Sequence, residues 1–370
     1  MKVAFCKEFI NPNFPCHMEG YTDRIAQEQH DNLELHSLLI ESNKIIIFHV
    51  LDVILIEKKF SDRIKNELFN EFSIPEDQII IEATHTHSGP KVSTILYPEI
   101  TPSEEYLQSI IRAIIKNTQY CLENKIEARA FYGTCEVNGF YGNRNDNSLP
   151  FNNKVYTLQF RDLSDKSLVS FINTACHPTV ISPENQFISS DFIGVFREEY
   201  NRLTGTPAVI VNGECGDVST RFARKGQDFN EVERIGKGIA SLVAETKEFI
   251  EVSFENLTVQ SYTLDINYDQ YDGFPKKIAY IRLNGDKPTA YVYETDNFRF
   301  VTIPGEIVYN LGLILRSKDQ KPMFINAYCN DFNGYAVDSA QYGKFYEANV
   351  SNYPFGKADE MIKSILEIYR

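Results

Sequence analysis

Apolar runs ended by turn residues recur along the chain, and four of them lead into a residue able to do chemistry. The first, 78–83, runs through Thr84-His85-Thr86-His87-Ser88 to Gly89-Pro90. A run of this kind reads as an inner strand of a covered sheet. Residues two apart on a strand share a face, so His85 and His87 are expected to project together past the sheet edge. That is the crevice where open α/β sheets place their ligands. The run 168–175 repeats the design and ends in Cys176-His177-Pro178, the proline holding His177 extended. A third, 207–212, passes Gly213 and Gly216 to reach Asp217 and Ser219, and a fourth, 298–303, passes Pro304-Gly305 to reach Glu306 at an expected helix start.

Between these runs the pattern predicts strands at 33–41 and 44–55, turned at Ser42-Asn43, then an amphipathic helix at 61–72. A long helix follows to about 122, capped by Ser103, with Leu107, Ile110, Ile111, Ile114 and Ile115 on its apolar face. Further strands are expected at 126–137 and 155–160, with helices to 203 and over 230–249. From 251 to 300 the pattern turns to β, with alternating stretches at 252–264, 278–283 and 289–294. A helix to 316 and a strand at 323–328 close the series. The predicted fold is α/β: a mixed, largely buried β-sheet covered by helices, with an extra β-rich segment in the C-terminal half. No linker rich in Gly, Ser or Pro interrupts it, so 1–370 reads as a single catalytic domain.

Charge narrows the function. With 37 basic against 51 acidic residues, a net charge of −14 argues against a nucleic-acid or anionic-membrane surface. No stretch of about eighteen apolar residues is present and the N-terminus lacks a signal-peptide core, which predicts a cytoplasmic protein without stable membrane insertion. Seven cysteines without C-x-x-C spacing read as reduced thiols, Cys176 and Cys215 among them as buried filler.

The histidines suggest a metal. A catalytic zinc takes about three or four protein ligands and keeps a position for water. His-x-His alone is a weak signal, but His177 adds a donor and Glu306 a carboxylate. Asp52 is the best outsider for supporting a ligand.

Five motifs in this order, Ala-Thr-His-Thr-His-Ser-Gly-Pro, Cys-His-Pro-Thr, Gly-Asp-Val-Ser, Pro-Gly-Glu and Asn333-Gly334-Tyr335, resemble the neutral ceramidase family, zinc amidases that cleave the N-acyl bond of ceramide. Glu19-Gly20-Tyr21, Gly142-Asn143-Arg144 and the 190–194 segment extend the resemblance across most of the chain. It implies Zn²⁺ held by His85, His177, Glu306 and Tyr335, with His87 supporting the ligands or handling protons. It also implies Arg144 and Tyr346 as donors to a tetrahedral oxyanion, and Ser219 at the scissile bond. Ser219 is favoured for positioning over acyl-enzyme formation, since no base can be shown to reach it. Asp217 is expected to hold a loop or a histidine.

Two departures fall beside the expected substrate channel: Ser219 precedes Thr220-Arg221 where the family continues Pro-Asn, and Gly89-Pro90 precedes Lys91-Val92. The β-sandwich that commonly follows the catalytic part in ceramidases is not expected here. The partner implied is therefore a small-molecule N-acyl amide or lipid, with a smaller or more polar soluble compound standing beside ceramide. Two other classes stay open, a zinc peptidase or other metallohydrolase and a non-catalytic binding protein on the same scaffold.

Overall fold

The computed structural model describes residues 1–266, 287–318 and 320–369; the strand expected at 278–283 lies outside them. Side-chain alternation sorts the strands' residues into layers. In the antiparallel pair Glu34–Glu41 and Ile45–Leu51, Leu35, Leu39, Ile47 and Leu51 join one apolar cluster, while Leu38, Ile40, Ile46 and Phe48 join a second on the opposite face. A sheet apolar on both faces needs a cover on each. Helices Lys58–Phe72, Glu104–Glu123, Phe192–Thr204 and Phe229–Ala244 cover the first with Ile64, Ile110, Phe196 and Ile239. As expected, Ser103 caps its helix, its side chain accepting from the Tyr106 N–H at 3.3 Å.

The second face packs on a four-stranded sheet ordered Thr258–Thr263, Thr289–Glu294, Arg299–Thr302, Met323–Asn326, which is the expected C-terminal β segment. Phe300 lies 5.1 Å from Phe48 and Phe324 5.5 Å from Phe171 between the two sheets. The residues that alternate with them, Val292, Val301 and Ile325, pack with Leu311 and Leu315 of Tyr309–Ser317 and Ile362 and Ile365 of Lys357–Ile368. The layers therefore run helix, sheet, sheet, helix.

The large sheet has nine strands, and eight lie on one path: Ala208–Asn212, Ser167–Thr174, Lys154–Asp162, Ile126–Glu136, Lys2–Phe9, Glu34–Glu41, Ile45–Leu51, Ile79–Ala83. The ninth, Phe249–Val252, pairs with Ile126–Glu136, which is why the helix expected to reach 249 stops at Ala244. Only the two end pairs are parallel. Ile79–Ala83 is thus a terminal strand and not the inner one its apolar run suggested. Its open edge is buried by chain returning from far away: Asn330 donates its N–H to Ile81 O at 2.7 Å, and the Asn330 side chain accepts from Ile81 N–H at 2.9 Å.

The same returning segment secures the opposite end of the sheet, where Ala327 N–H donates to Asn212 O at 2.9 Å. Asn212 Nδ2 then donates to Thr84 O at 2.8 Å, so the two ends of the sheet close on one another. Asp52 accepts from Arg197 at 2.8 and 2.5 Å and from Thr84 Oγ1 at 3.0 Å, fixing a covering helix and the start of the His85 turn together. It touches Thr84 rather than a histidine. The seven cysteines are free thiols, and among the described residues no helix is long and apolar enough to cross a membrane.

Candidate metal centre

Beyond Ala83 the chain leaves the strand. Thr84 N–H donates to Leu51 O at 2.9 Å and His85 N–H to Val53 O at 3.0 Å, and His85 adopts a φ of 70°, uncommon for a residue with a Cβ. The two histidines therefore do not share a strand face, contrary to the pleat rule. Their rings converge all the same, at 89° to each other with the Nε2 atoms 3.2 Å apart. His177 reaches them from the other end of the sheet, and the three histidines offer nitrogen atoms that all lie within 4.8 Å of one another. Glu306 places Oε2 2.8 Å from Nε2 of His177 and 3.7 Å from Nε2 of His85.

The proton positions follow from the partners. His85 Nδ1 lies 2.6 Å from Ile54 O, and His177 Nδ1 lies 2.6 Å from Cys215 O. A carbonyl only accepts, so both Nδ1 atoms carry hydrogen and both Nε2 atoms present lone pairs. Burial strengthens this assignment, lowering the pKa of His85 to about 4 and of His177 to about 3, with that of His87 well below the ordinary value. Two imidazole lone pairs thus face the Glu306 carboxyl group, whose pKa burial raises, and Arg144 Nη1, 3.3 Å from His177 Nε2, offers a hydrogen to one of them. A cation would relieve that opposition, and backbone-anchored neutral imidazoles with a carboxylate are a zinc-type donor set. The residues present fit the metal implied by the resemblance.

Glu306 is carried by a two-residue strand, Glu306–Ile307, parallel to Tyr335–Ala336, and not by the helix, which begins at Tyr309. This pairing puts Tyr335 beside Glu306. Gly305, at a φ of 147°, permits it, because a Cβ there would lie 2.4 Å from Gly334 O. Burial holds the Tyr335 phenol well above its ordinary pKa, with Arg144 acting against that rise. Arg144 lies 5.3 Å from the Tyr335 ring centroid and directs Nη1 to within 3.3 Å of His177 Nε2, while its Nη2 is buried without a partner.

The other expected residues divide. Ser219 is bridged to His177 through the backbone, and its Oγ accepts from Arg221 N–H at 3.2 Å. Asp217 accepts from Tyr309 N–H at 2.8 Å and from Asn143 Nδ2 at 3.2 Å, so it holds loops and no histidine; burial raises its pKa to about 6. Tyr346 is 59% exposed at the rim, its ring 5.7 Å from the Arg144 guanidinium and outside the histidine cluster. Lys91 is not a free charge beside a channel: it is buried against Glu19 at 3.3 Å, which also accepts from Ser93 Oγ at 2.5 Å.

Sequence reasoning missed three supports. Glu347 holds Arg144, Tyr328 stacks on His85 at 4.1 Å, and Tyr21 packs on His87 at 4.7 Å with the Arg24 guanidinium 5.2 Å from its ring centroid. Tyr21 lay within a motif already singled out, whereas Tyr328 only ended an apolar run and Glu347 only followed Tyr346.

No protein-family model matches the chain. Its fold is similar to the crystal structure of neutral ceramidase from Pseudomonas aeruginosa, with a TM-score of 0.84 at 16% identity, over 99% of this chain and 73% of that one. It is also similar to a structure of ceramidase complexed with C2, with a TM-score of 0.82 at 14% identity, over 99% of this chain and 74% of that one.

Proposed function

We propose that this chain, whose fold is of the neutral ceramidase type, is a zinc-dependent hydrolase that cleaves an N-acyl amide bond, in ceramide or in a smaller soluble N-acyl compound. The observation that supports this reading is the convergence of three histidines and Glu306 in one buried cluster. The ligands would be His85, His177, Glu306 and Tyr335, with His87 beside them. A zinc ion held there supplies a Lewis acid that polarises an amide carbonyl and brings the pKa of water toward about 7.

The chain's own groups perform the remaining tasks. Because Nδ1 of His85 and of His177 is committed to a carbonyl, their Nε2 atoms keep a fixed direction. His87 differs, since its Nδ1 is buried without a partner. It is the ring with an uncommitted nitrogen for proton transfer to the departing amine, although burial and the neighbouring cations oppose a lasting charge on it. Arg144 offers the unpartnered Nη2 to a developing oxyanion, a type of contact worth about 3 kcal/mol. Tyr346 becomes a second donor only when substrate covers it. Ser219 already accepts a backbone N–H, which leaves its hydroxyl hydrogen to orient the amide and disfavours attack by Oγ. Asp217 keeps the Asn143 loop and the Tyr309–Ser317 helix in place.

Metal analysis combined with assays of N-acyl amides, peptides and esters tests the reading. Amide hydrolysis that is lost with a chelator and restored by zinc is expected. Zinc-loaded protein that cleaves only peptides or esters, or nothing, would overturn it.

A further inference from the structure

The turn after Ser219 carries two arginines to the site. Ala223 and Arg224 both donate their backbone N–H groups to Thr220 O, at 2.9 and 2.8 Å, closing 220–224 into a tight turn. On one side Arg221 is exposed, and its Nη1 donates to Arg144 O at 3.5 Å. On the other, Arg224 donates from Nη1 to Thr179 O at 2.7 Å, just past His177, and acts electrostatically on Tyr21. The third arginine, Arg24, lies beside Tyr21 with its guanidinium 5.2 Å from the ring centroid. It donates to His87 O at 2.5 Å and Asn185 O at 2.8 Å, while its buried Nε has no partner.

Arg24 thus touches the His87 backbone, Arg224 holds the chain two residues past His177 and Arg221 the backbone of Arg144, and among the described residues none of the three has a carboxylate partner. In a chain with 51 acidic and 37 basic residues that is not the expected outcome. The nearby acids are already committed. Glu306 faces His177 and His85, Glu347 holds Arg144, Asp217 accepts from Asn143 and Tyr309, and Asp191 accepts the N–H groups of Val180, Ile181 and Phe192. Carbonyl oxygens satisfy guanidinium hydrogens but do not neutralise the charge, whereas an oxyanion does both.

We infer that the site takes a substrate with an anionic group next to the scissile amide, Arg221 and Arg224 reading the charge and Arg24 adding to the local field. An N-acyl amino acid is the smallest compound that joins the two groups. The amide rests on the reading given under Proposed function; the charge preference rests on the arginines.

N-octanoylglycine and its neutral carboxamide, titrated calorimetrically into metal-free and zinc-loaded protein, separate the two parts. The acid is expected to bind about tenfold more tightly than the carboxamide at low salt in both preparations. The advantage should shrink at high salt and disappear in the Arg221→Gln/Arg224→Gln variant, while Arg221→Lys keeps part of it. Should the double variant fail to fold, exposed Arg221→Gln alone must still lower the ratio. Equal affinities in metal-free protein, or an advantage that survives these substitutions, would overturn the inference. An acid preference seen only with zinc would assign the charge reading to the metal and overturn it equally. Hydrolysis is scored separately: preference without cleavage upholds the anion site and removes the amidase reading, and cleavage without preference does the reverse.

Discussion

Arg144 donates from Nε to Oε1 of Glu347 across 2.6 Å, and that carboxylate is fully buried. Asn145 Nδ2 donates to the second oxygen at 2.9 Å, so neither end of Glu347 is free to swing. A guanidinium on a glycine-containing loop is thereby given one orientation, with Nη1 toward His177.

Glu347→Gln keeps the shape and removes the charge. Turnover on an N-acyl amide is expected to fall about tenfold to a hundredfold with zinc content unchanged, because the substitution frees Arg144 and spares the ligands. Glu347→Ala also leaves a largely buried cation unpaired and should cost about 3–5 kcal/mol of stability. Zinc loss in the Gln variant would show that Glu347 supports the metal itself.

The two ends of the catalytic proposal separate by metal content. His177→Ala is expected to abolish activity and most of the bound zinc, whereas Ser219→Ala lowers turnover and retains the metal. Inductively coupled plasma analysis of both proteins decides this, and equal zinc loss would mean the roles are misassigned.

Stability carries a pH signature away from the metal centre. His49 is buried against Ser37 Oγ at 2.8 Å and Thr118 Oγ1 at 3.3 Å, and burial lowers its pKa to about 3. The unfolded chain protonates this ring near pH 6.5 and the folded chain only near 3, so within that window the unfolded state binds more protons. Its contribution is complete above about pH 6.5 and diminishes on acidification, at up to about 1.4 kcal/mol per pH unit. His49→Gln should flatten the curve of unfolding midpoint between neutral and mildly acidic pH; an unchanged slope would contradict the assignment.

Gly305→Ala should disturb the site more than the fold. The added Cβ meets Gly334 O at 2.4 Å and must push the Glu306–Ile307 and Tyr335–Ala336 strands apart. A loss of zinc affinity of about tenfold to a hundredfold is expected, read by competition with a chromophoric chelator. Wild-type affinity would mean the strand pair relaxes without moving its ligands.

Much of this was legible because apolar runs end where the chemistry begins: His85, His177 and Glu306 each follow one, and burial of both sheet faces makes such runs conspicuous. Ser103 announced its helix by a local hydrogen bond. What depended on distant chain was not legible. The terminal position of Ile79–Ala83 reads as interior because Asn330 fills its edge, and the His85–His87 geometry follows from bonds to Leu51 and Val53 instead of from the pleat. Glu347 meets Arg144 across 203 positions, and no local pattern marks it.

Asn330 closes the free edge of Ile79–Ala83 from 249 residues away, so that strand acquires its last hydrogen bonds only after residue 330 has left the ribosome. At synthesis rates of about 5–20 residues per second, His85 and His87 wait on the order of ten seconds or more for Glu306 and Tyr335. Throughout that interval they adjoin an uncovered apolar strand, the kind of edge that templates wrong pairing. Convergence of these side chains is thereby tied to synthesis past Tyr335, and a fragment stalled before that point becomes a client for chaperones.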